Sequence, residues 1–302
     1  MSSDRPLTNP LASVIVRTYN EGRHLEDLLN SLRGQDLDGD LIEIIVVDSG
    51  STDRTLDVAA QYETRLVTIR KDDFTFGRSL NMGCEAASGR YLVFISGHCI
   101  PQGKRWLRDL LKPLQGGDAD YVYGCQLGDD RSRFSERQLF RKYYPPQSQI
   151  PQDGFFCNNA NAALRRDTWA QFRFSEELTG LEDMELARRL YERGLKIAYV
   201  AEAAVYHLHD ESWRQIKRRY ERESIALQKI MPQVHLSAFD FLRYFSSAVL
   251  LDMGSAMRER KLMESLGQIV AFRFMQFWGS YCGHNEHRRL SHEMKEKYFY
   301  PR

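Results

Sequence analysis

IEIIVVDSGSTD, residues 42–53, passes from five β-branched apolar residues and one glutamate straight into small, polar turn formers. A short apolar run bounded in this way reads as a strand buried on both faces. Thr55 to Tyr62 behind it reads as a helix, with Ser51 or Asp53 able to cap it. Upstream, ASVIVR (12–17) is a second such strand, broken by TYNEG and followed by Leu25, Leu28, Leu29 and Leu32 at helical spacing. Downstream, RLVTI (65–69), the small-residue helical segment FGRSLNMGCEAASG (76–89) and YLVFIS (91–96) continue the alternation. Strand, helix, strand with short connections predicts an α/β, Rossmann-like, mostly parallel sheet flanked by helices on both faces. Ligands of such sheets bind at the carboxyl ends of the strands, where TYNEG, DSGSTD and SGHCIP fall.

Beyond a helix at Trp106–Leu114, DYVYGCQLG (120–128) reads as a strand and the polar stretch 129–153 as a long mobile loop or lid. A helix over 182–194 and a strand over 196–209 complete a main domain, residues 1–210. From Ser212 the chain turns helical, with a break at Met231 and Pro232, giving a helical C-terminal extension over 211–302. Its apolar stretches are interrupted by Arg243, Asp252 and Arg273. Those charges disfavour membrane-spanning helices and suit amphipathic ones packed on the main domain, in a homodimer, or in peripheral contact with a membrane.

Composition excludes several classes. A net charge of +1 over 302 residues gives no global field to hold nucleic acid. Five scattered cysteines without a CxxC pair argue against a zinc site or a disulfide framework. With no apolar leader, the expected location is cytoplasmic, either free or peripheral at the inner membrane.

Asp48, at the end of its strand, is placed to hydrogen-bond a nucleoside's ribose or base, or else to act as a turn acid. Thr18, Asn20 and Glu21 sit on the neighbouring strand end. In the late strand, His207 and His209 share one face through period-two spacing. The basic run from Trp213 through Arg222 reads mainly as solvated helix surface, with a diphosphate clamp as the alternative.

Taken together, VIVRTYNEG, IIVVDSGSTDRT and FGRSLNMGCEAASGRYLVFISGHCIP resemble family 2 of the inverting glycosyltransferases, in the GT-A fold, over roughly residues 12–210. The rhamnosyltransferase-like bacterial branch is the most similar. That resemblance implies transfer from a nucleoside diphosphate sugar to a hydroxyl of a surface-glycan or lipid-linked acceptor. It places Thr18, Tyr19, Asn20, Glu21, Asp48, Ser49, Arg78 and Asn81 around the donor, together with Ser96, Gly97, His98, Asn159 and Asn161. It also implies Asp183, with Glu182 beside it, as the catalytic base at a helix start, where first-turn amides hold a carboxylate.

The family's Asp-x-Asp is replaced here by Ser96-Gly97-His98. A divalent metal, Mn²⁺ or Mg²⁺, would then rest on His98, His207 and His209; imidazole suits softer ions better than Mg²⁺. Metal-independent transfer is the alternative. Competing functions are a noncatalytic nucleotide-sugar-binding protein and a sugar-phosphate nucleotidyltransferase, although TYNEG lacks the glycine-rich, basic character of the latter.

Overall fold

The computed structural model describes residues 10–37, 41–285 and 297–299. Eight strands form one sheet: β1 (Ala12–Thr18), β2 (Ile42–Asp48), β3 (Arg65–Thr68), β4 (Tyr91–Ser96), β5 (Cys99–Pro101), β6 (Tyr121–Leu127), β7 (Asn161–Arg165) and β8 (Ile197–His207). Their order is β3-β2-β1-β4-β7-β6-β8-β5. β3, β2, β1 and β4 are mutually parallel, as the βαβ reading predicts. β7 reverses, running antiparallel to β4 and β6; β8 is parallel to β6, and β5 is antiparallel on β8.

Strand alternation divides the core into two layers. Val14, Val16, Val46, Val93 and Ile95 face one side with α1 (Leu25–Arg33), α2 (Thr55–Ala59) and α4 (Trp106–Gly116). Ile15, Ile45, Val47, Leu92 and Phe94 face the other, with α3 (Phe76–Ala86), α6 (Arg166–Phe172) and α7 (Glu182–Tyr191). Burial on both faces explains why these strands are continuous apolar runs.

The stretch 129–153 is not the structureless lid its composition suggests. It contains α5 (Phe134–Tyr143), whose Phe134 is buried with Ala256 and Ile269 of the C-terminal helices and whose Phe140 enters the sheet's second layer. Two aromatic anchors on different sides of the helix, one on the extension and one on the sheet, outweigh the polar residues between them.

The extension comprises α8 (Trp213–Ile230), α9 (Ala238–Arg258) and α10 (Leu262–His284). Capping boxes start α8 at Ser212 and α9 at Ser237. α10 lies so close to α8 that a Cβ on Gly279 or Gly283 would stand 2.3 or 2.1 Å from the carbonyl oxygens of Lys217 and Glu221. Arg273 of α10 donates bidentately to Asp252 of α9 at 2.7 and 2.8 Å, a buried pair that fixes the register of the two helices.

Candidate active site

A cavity of about 510 Å³ opens at the carboxyl ends of β1, β2 and β4, within the size range of small-molecule sites. β1 delivers Arg17 and Thr18 to its wall, and the following turn delivers Tyr19, Asn20 and Glu21. Ser49 follows β2, and Ser96 and His98 follow β4. Two non-glycine residues in the left-handed region line this space, Asn20 (φ +57°) and Leu181 (φ +56°). Asparagine tolerates that conformation; leucine is held there at some cost, a pattern that clusters at functional sites.

Glu182 and Asp183 open α7 on the cavity wall, and both are buried. Asp183 accepts the backbone N–H of Asn159 at 2.8 Å and that of Met184 at 2.7 Å. Burial, reinforced by the neighbouring Glu182 carboxylate, still pushes its pKa up to about 7. Glu182 itself is paired with Arg17 at 3.1 Å. A buried carboxyl poised near neutrality has the protonation behaviour a general base requires.

The three histidines converge. Nδ1 of His98 lies 2.7 Å from Glu21, that of His207 lies 2.6 Å from Gln126 Oε1, and that of His209 lies 2.6 Å from Glu136. With each Nδ1–H donated outward to an acceptor, each Nε2 carries the lone pair. The Nε2 atoms of His98 and His207 are 3.1 Å apart, and one ligand atom from each of the three rings falls within 4.8 Å of the others. Facing lone pairs repel unless they share a proton or a cation. Outward hydrogen bonding of Nδ1 to carboxylates and amides is the usual support of metal-binding histidines, so this donor set fits a divalent ion. Burial lowers His98's proton affinity, but the Glu21 carboxylate more than reverses this and its pKa rises; His207, buried beside two other imidazoles, is pushed well down.

Other expected donor contacts lie behind the wall. Asp48 is 1% exposed, and its carboxylate accepts from the Thr18 hydroxyl, from the Gly50 and Ser51 amides and from the Ser51 hydroxyl, so it shapes the turn. Asn81 accepts from Trp169 and the Phe174 amide and donates to Phe174 O and Glu176. Asn161 ties Trp106 to the carbonyls of Cys125 and Ala203. Asn159 accepts the Tyr121 hydroxyl, and its neighbours Asn158 and Ala160 are the residues that reach the cavity. Gly97 allows close approach, since a Cβ there would meet Glu21 Cγ at 2.8 Å. Arg78 stands 3.9 Å from Glu176 and does not line the cavity.

In their place the structure brings in residues outside the expected donor set. Arg17 is one, and the lone charge within an apolar strand was its signal. Arg219 and Arg222 of α8 also line the cavity, with Glu211, Gln215 and Glu223. Arg219 reaches Glu211 at 2.8 Å and Glu136 at 3.7 Å. The Arg222 guanidinium lies 4.5 Å from the centre of the Phe76 ring. The cavity wall therefore continues past residue 210 into the helical extension.

This is the layout of a glycosyltransferase with the GT-A fold. Residues 13–171, more than half of the chain, match the glycosyl transferase family 2 profile, and the chain belongs to that family. It is 28% identical over 223 residues to the O-antigen chain rhamnosyltransferase WbaN of Salmonella anatum, covering 70% of each chain. It is 25% identical to RfbN of Salmonella typhimurium, covering 69% of each. Among solved structures, the mannosyltransferase PcManGT from Pyrobaculum calidifontis, in complex with GDP-Man and Mn²⁺, superposes with a TM-score of 0.61 at 17% identity. That match covers 92% of this chain and 86% of the other, and at such identity it shows the fold alone.

Proposed function

We propose that the protein transfers a sugar, with inversion at the anomeric carbon, from a nucleoside diphosphate donor to a hydroxyl of a surface-glycan or lipid-linked acceptor. The observation that carries this reading is Asp183: buried on the wall of the strand-end cavity, held by two backbone amides, and raised in pKa. As the acceptor oxygen bonds to the anomeric carbon, its proton passes to the Asp183 carboxylate, while the bond from that carbon to the diphosphate oxygen breaks on the opposite face. Arg219 and Arg222 supply planar donors suited to the departing diphosphate. Tyr19, Asn20, Ser49 and Ser96 offer polar contacts to the rest of the donor.

His98, His207 and His209 would hold a divalent ion, which would add positive charge beside the leaving diphosphate. Three imidazoles favour Mn²⁺, Co²⁺ or Zn²⁺ over Mg²⁺. The 28% identity to an O-antigen chain rhamnosyltransferase supports a surface-polysaccharide acceptor and a deoxyhexose donor.

The test is incubation with a panel of nucleoside diphosphate sugars and short glycan or lipid-linked acceptors, following free nucleoside diphosphate and the product's anomeric configuration by NMR. Release of nucleoside diphosphate with an inverted product is expected. Pyrophosphate release would make the protein a nucleotidyltransferase, and retention of configuration would remove the in-line role of Asp183.

A further inference from the structure

Of the 21 residues of α9 only Asp252 and Ala256 are buried. Phe239, Leu250 and Leu251 are 72%, 67% and 71% exposed, and Met263 at the start of α10 is 89% exposed. On α10 the exposed apolar side chains Leu266, Val270, Phe274 and Trp278 recur every four residues, a single stripe along the helix. The stripe adjoins α9 through Phe241, whose ring centre lies 6.2 Å from that of Phe274 and 5.8 Å from that of Trp278. Eleven of the 21 residues of α9 are exposed, so about half of the helix surface lacks the tertiary packing that ordinarily sustains helices in water.

Charge is distributed just as unevenly. Between Arg243 and Arg258 the only charged residue of α9 is Asp252; between Glu264 and His284 the only one of α10 is Arg273. These two are buried against each other, so the middle of the hairpin presents no ionised group. The turn end is cationic, with Arg258, Arg260 and Lys261 exposed, whereas at the other end the exposed Arg243 is balanced by Asp240. At the turn, Glu259 pairs with Arg141 at 2.7 Å, leaving Glu264 as the exposed acid.

We propose that the α9–α10 hairpin lies in the plane of an anionic lipid surface, with its apolar face against the acyl chains and its basic turn among the headgroups. Charge complementarity selects this occupant over a second copy. A two-fold pair that brings the two turns together sets their cations against one another, and one that brings each turn against the opposite end offers them only Asp240, already beside Arg243. Anionic headgroups complement the basic turn and leave the apolar face to the acyl chains. None of the described helices is long and apolar enough to cross a membrane. This inference stands on the hairpin alone and not on the transfer chemistry.

The experiment is co-sedimentation of the full chain with vesicles of phosphatidylcholine and phosphatidylglycerol, beside vesicles of phosphatidylcholine alone, with sedimentation velocity in their absence. The wild type should pellet with the anionic vesicles. The double substitution Leu250→Glu with Leu251→Glu should cut that partitioning by at least about tenfold. Replacing Arg258 and Lys261 by Gln leaves the apolar face intact and should weaken binding by about fivefold per cation removed. This second variant decides the matter if the first is misfolded by circular dichroism. Wild-type protein that stays in the supernatant with anionic vesicles overturns the proposal. So does a dimer in solution that Leu250→Glu splits, which would give the face to a second copy.

Discussion

Replacing Asp183 by asparagine should make the protein less stable in acid and more stable in mild base, while removing its activity. In the folded chain burial raises this carboxyl from 3.8 to about 7. At ~1.4 kcal/mol per unit, holding it ionised costs the fold about 4 kcal/mol. The sign follows from proton counting: between those two values the folded state keeps a proton the unfolded state has lost, so wild-type stability falls as pH rises through that window. Asparagine carries no charge and lacks this slope. It does lose an acceptor, because one carboxamide oxygen must serve the Asn159 and Met184 amides that two carboxylate oxygens now serve. That loss costs about 1–3 kcal/mol at every pH. The difference in unfolding free energy, variant minus wild type, should therefore begin negative near pH 4 and climb by about 4 kcal/mol by pH 8. Urea unfolding at a series of pH values measures it. A flat difference would mean that Asp183 is not a desolvated carboxyl and would withdraw the argument for its tuned basicity. In parallel, turnover should fall by about 10²–10⁴-fold, as expected for loss of a general base.

Arg222→Ala should weaken nucleoside diphosphate binding by roughly tenfold or more in calorimetry, because a guanidinium contact to phosphate is lost; unchanged affinity would place α8 outside the donor site. His207→Ala should abolish any Mn²⁺ dependence of that binding, and binding that keeps its full metal response would exclude the histidine cluster. Asn161→Ala strands the Trp106 indole and two carbonyls, so it should lower stability by about 1–3 kcal/mol with KM for the donor unchanged. Arg273→Leu leaves Asp252 buried without its partner and should cost about 3–5 kcal/mol, most of it recovered when Asp252 is also made leucine.

The sheet was legible because each of its central strands is buried on both faces, and continuous runs such as IIVV have few other uses. The Asp183 helix was legible too, since acids at a helix start are placed by the same amides that hold them. What could not be read is which way a side chain faces once it leaves a strand end. Asp48 and Ser49 are neighbours, yet Asp48 turns inward to bind its own turn while Ser49 lines the cavity. Asn81 and Asn161 look like ligand groups in sequence and serve as buried braces, because a polar residue between layers of helix and sheet must satisfy the backbone around it. The converse held for Arg219 and Arg222, for which the diphosphate clamp was the lesser of two readings. A basic run on a helix reads as solvated surface, and only the close approach of α10, allowed by Gly279 and Gly283, fixes α8 with those arginines over the cavity.

The charge balance of the cavity bears on the histidines. Its wall carries four arginines, Arg17, Arg23, Arg219 and Arg222, against six acids, Glu21, Glu182, Asp183, Asp210, Glu211 and Glu223. Even with Asp183 protonated, the acids outnumber the arginines by one, and several arginines are already paired: Arg17 with Glu182, Arg23 with Asp210, Arg219 with Glu211. A diphosphate entering this space gains little net attraction from the side chains alone. A divalent ion on the three imidazoles would add two positive charges and reverse the balance, whereas on carboxylate ligands most of its charge would be spent. Nucleoside diphosphate binding should accordingly be weak in the presence of a chelator and weaken further as pH rises and Asp183 ionises. With Mn²⁺ it should strengthen by at least about tenfold. Equal affinity with and without metal across that pH range would show that the arginines release their partners and suffice, and would make the histidine cluster a structural one.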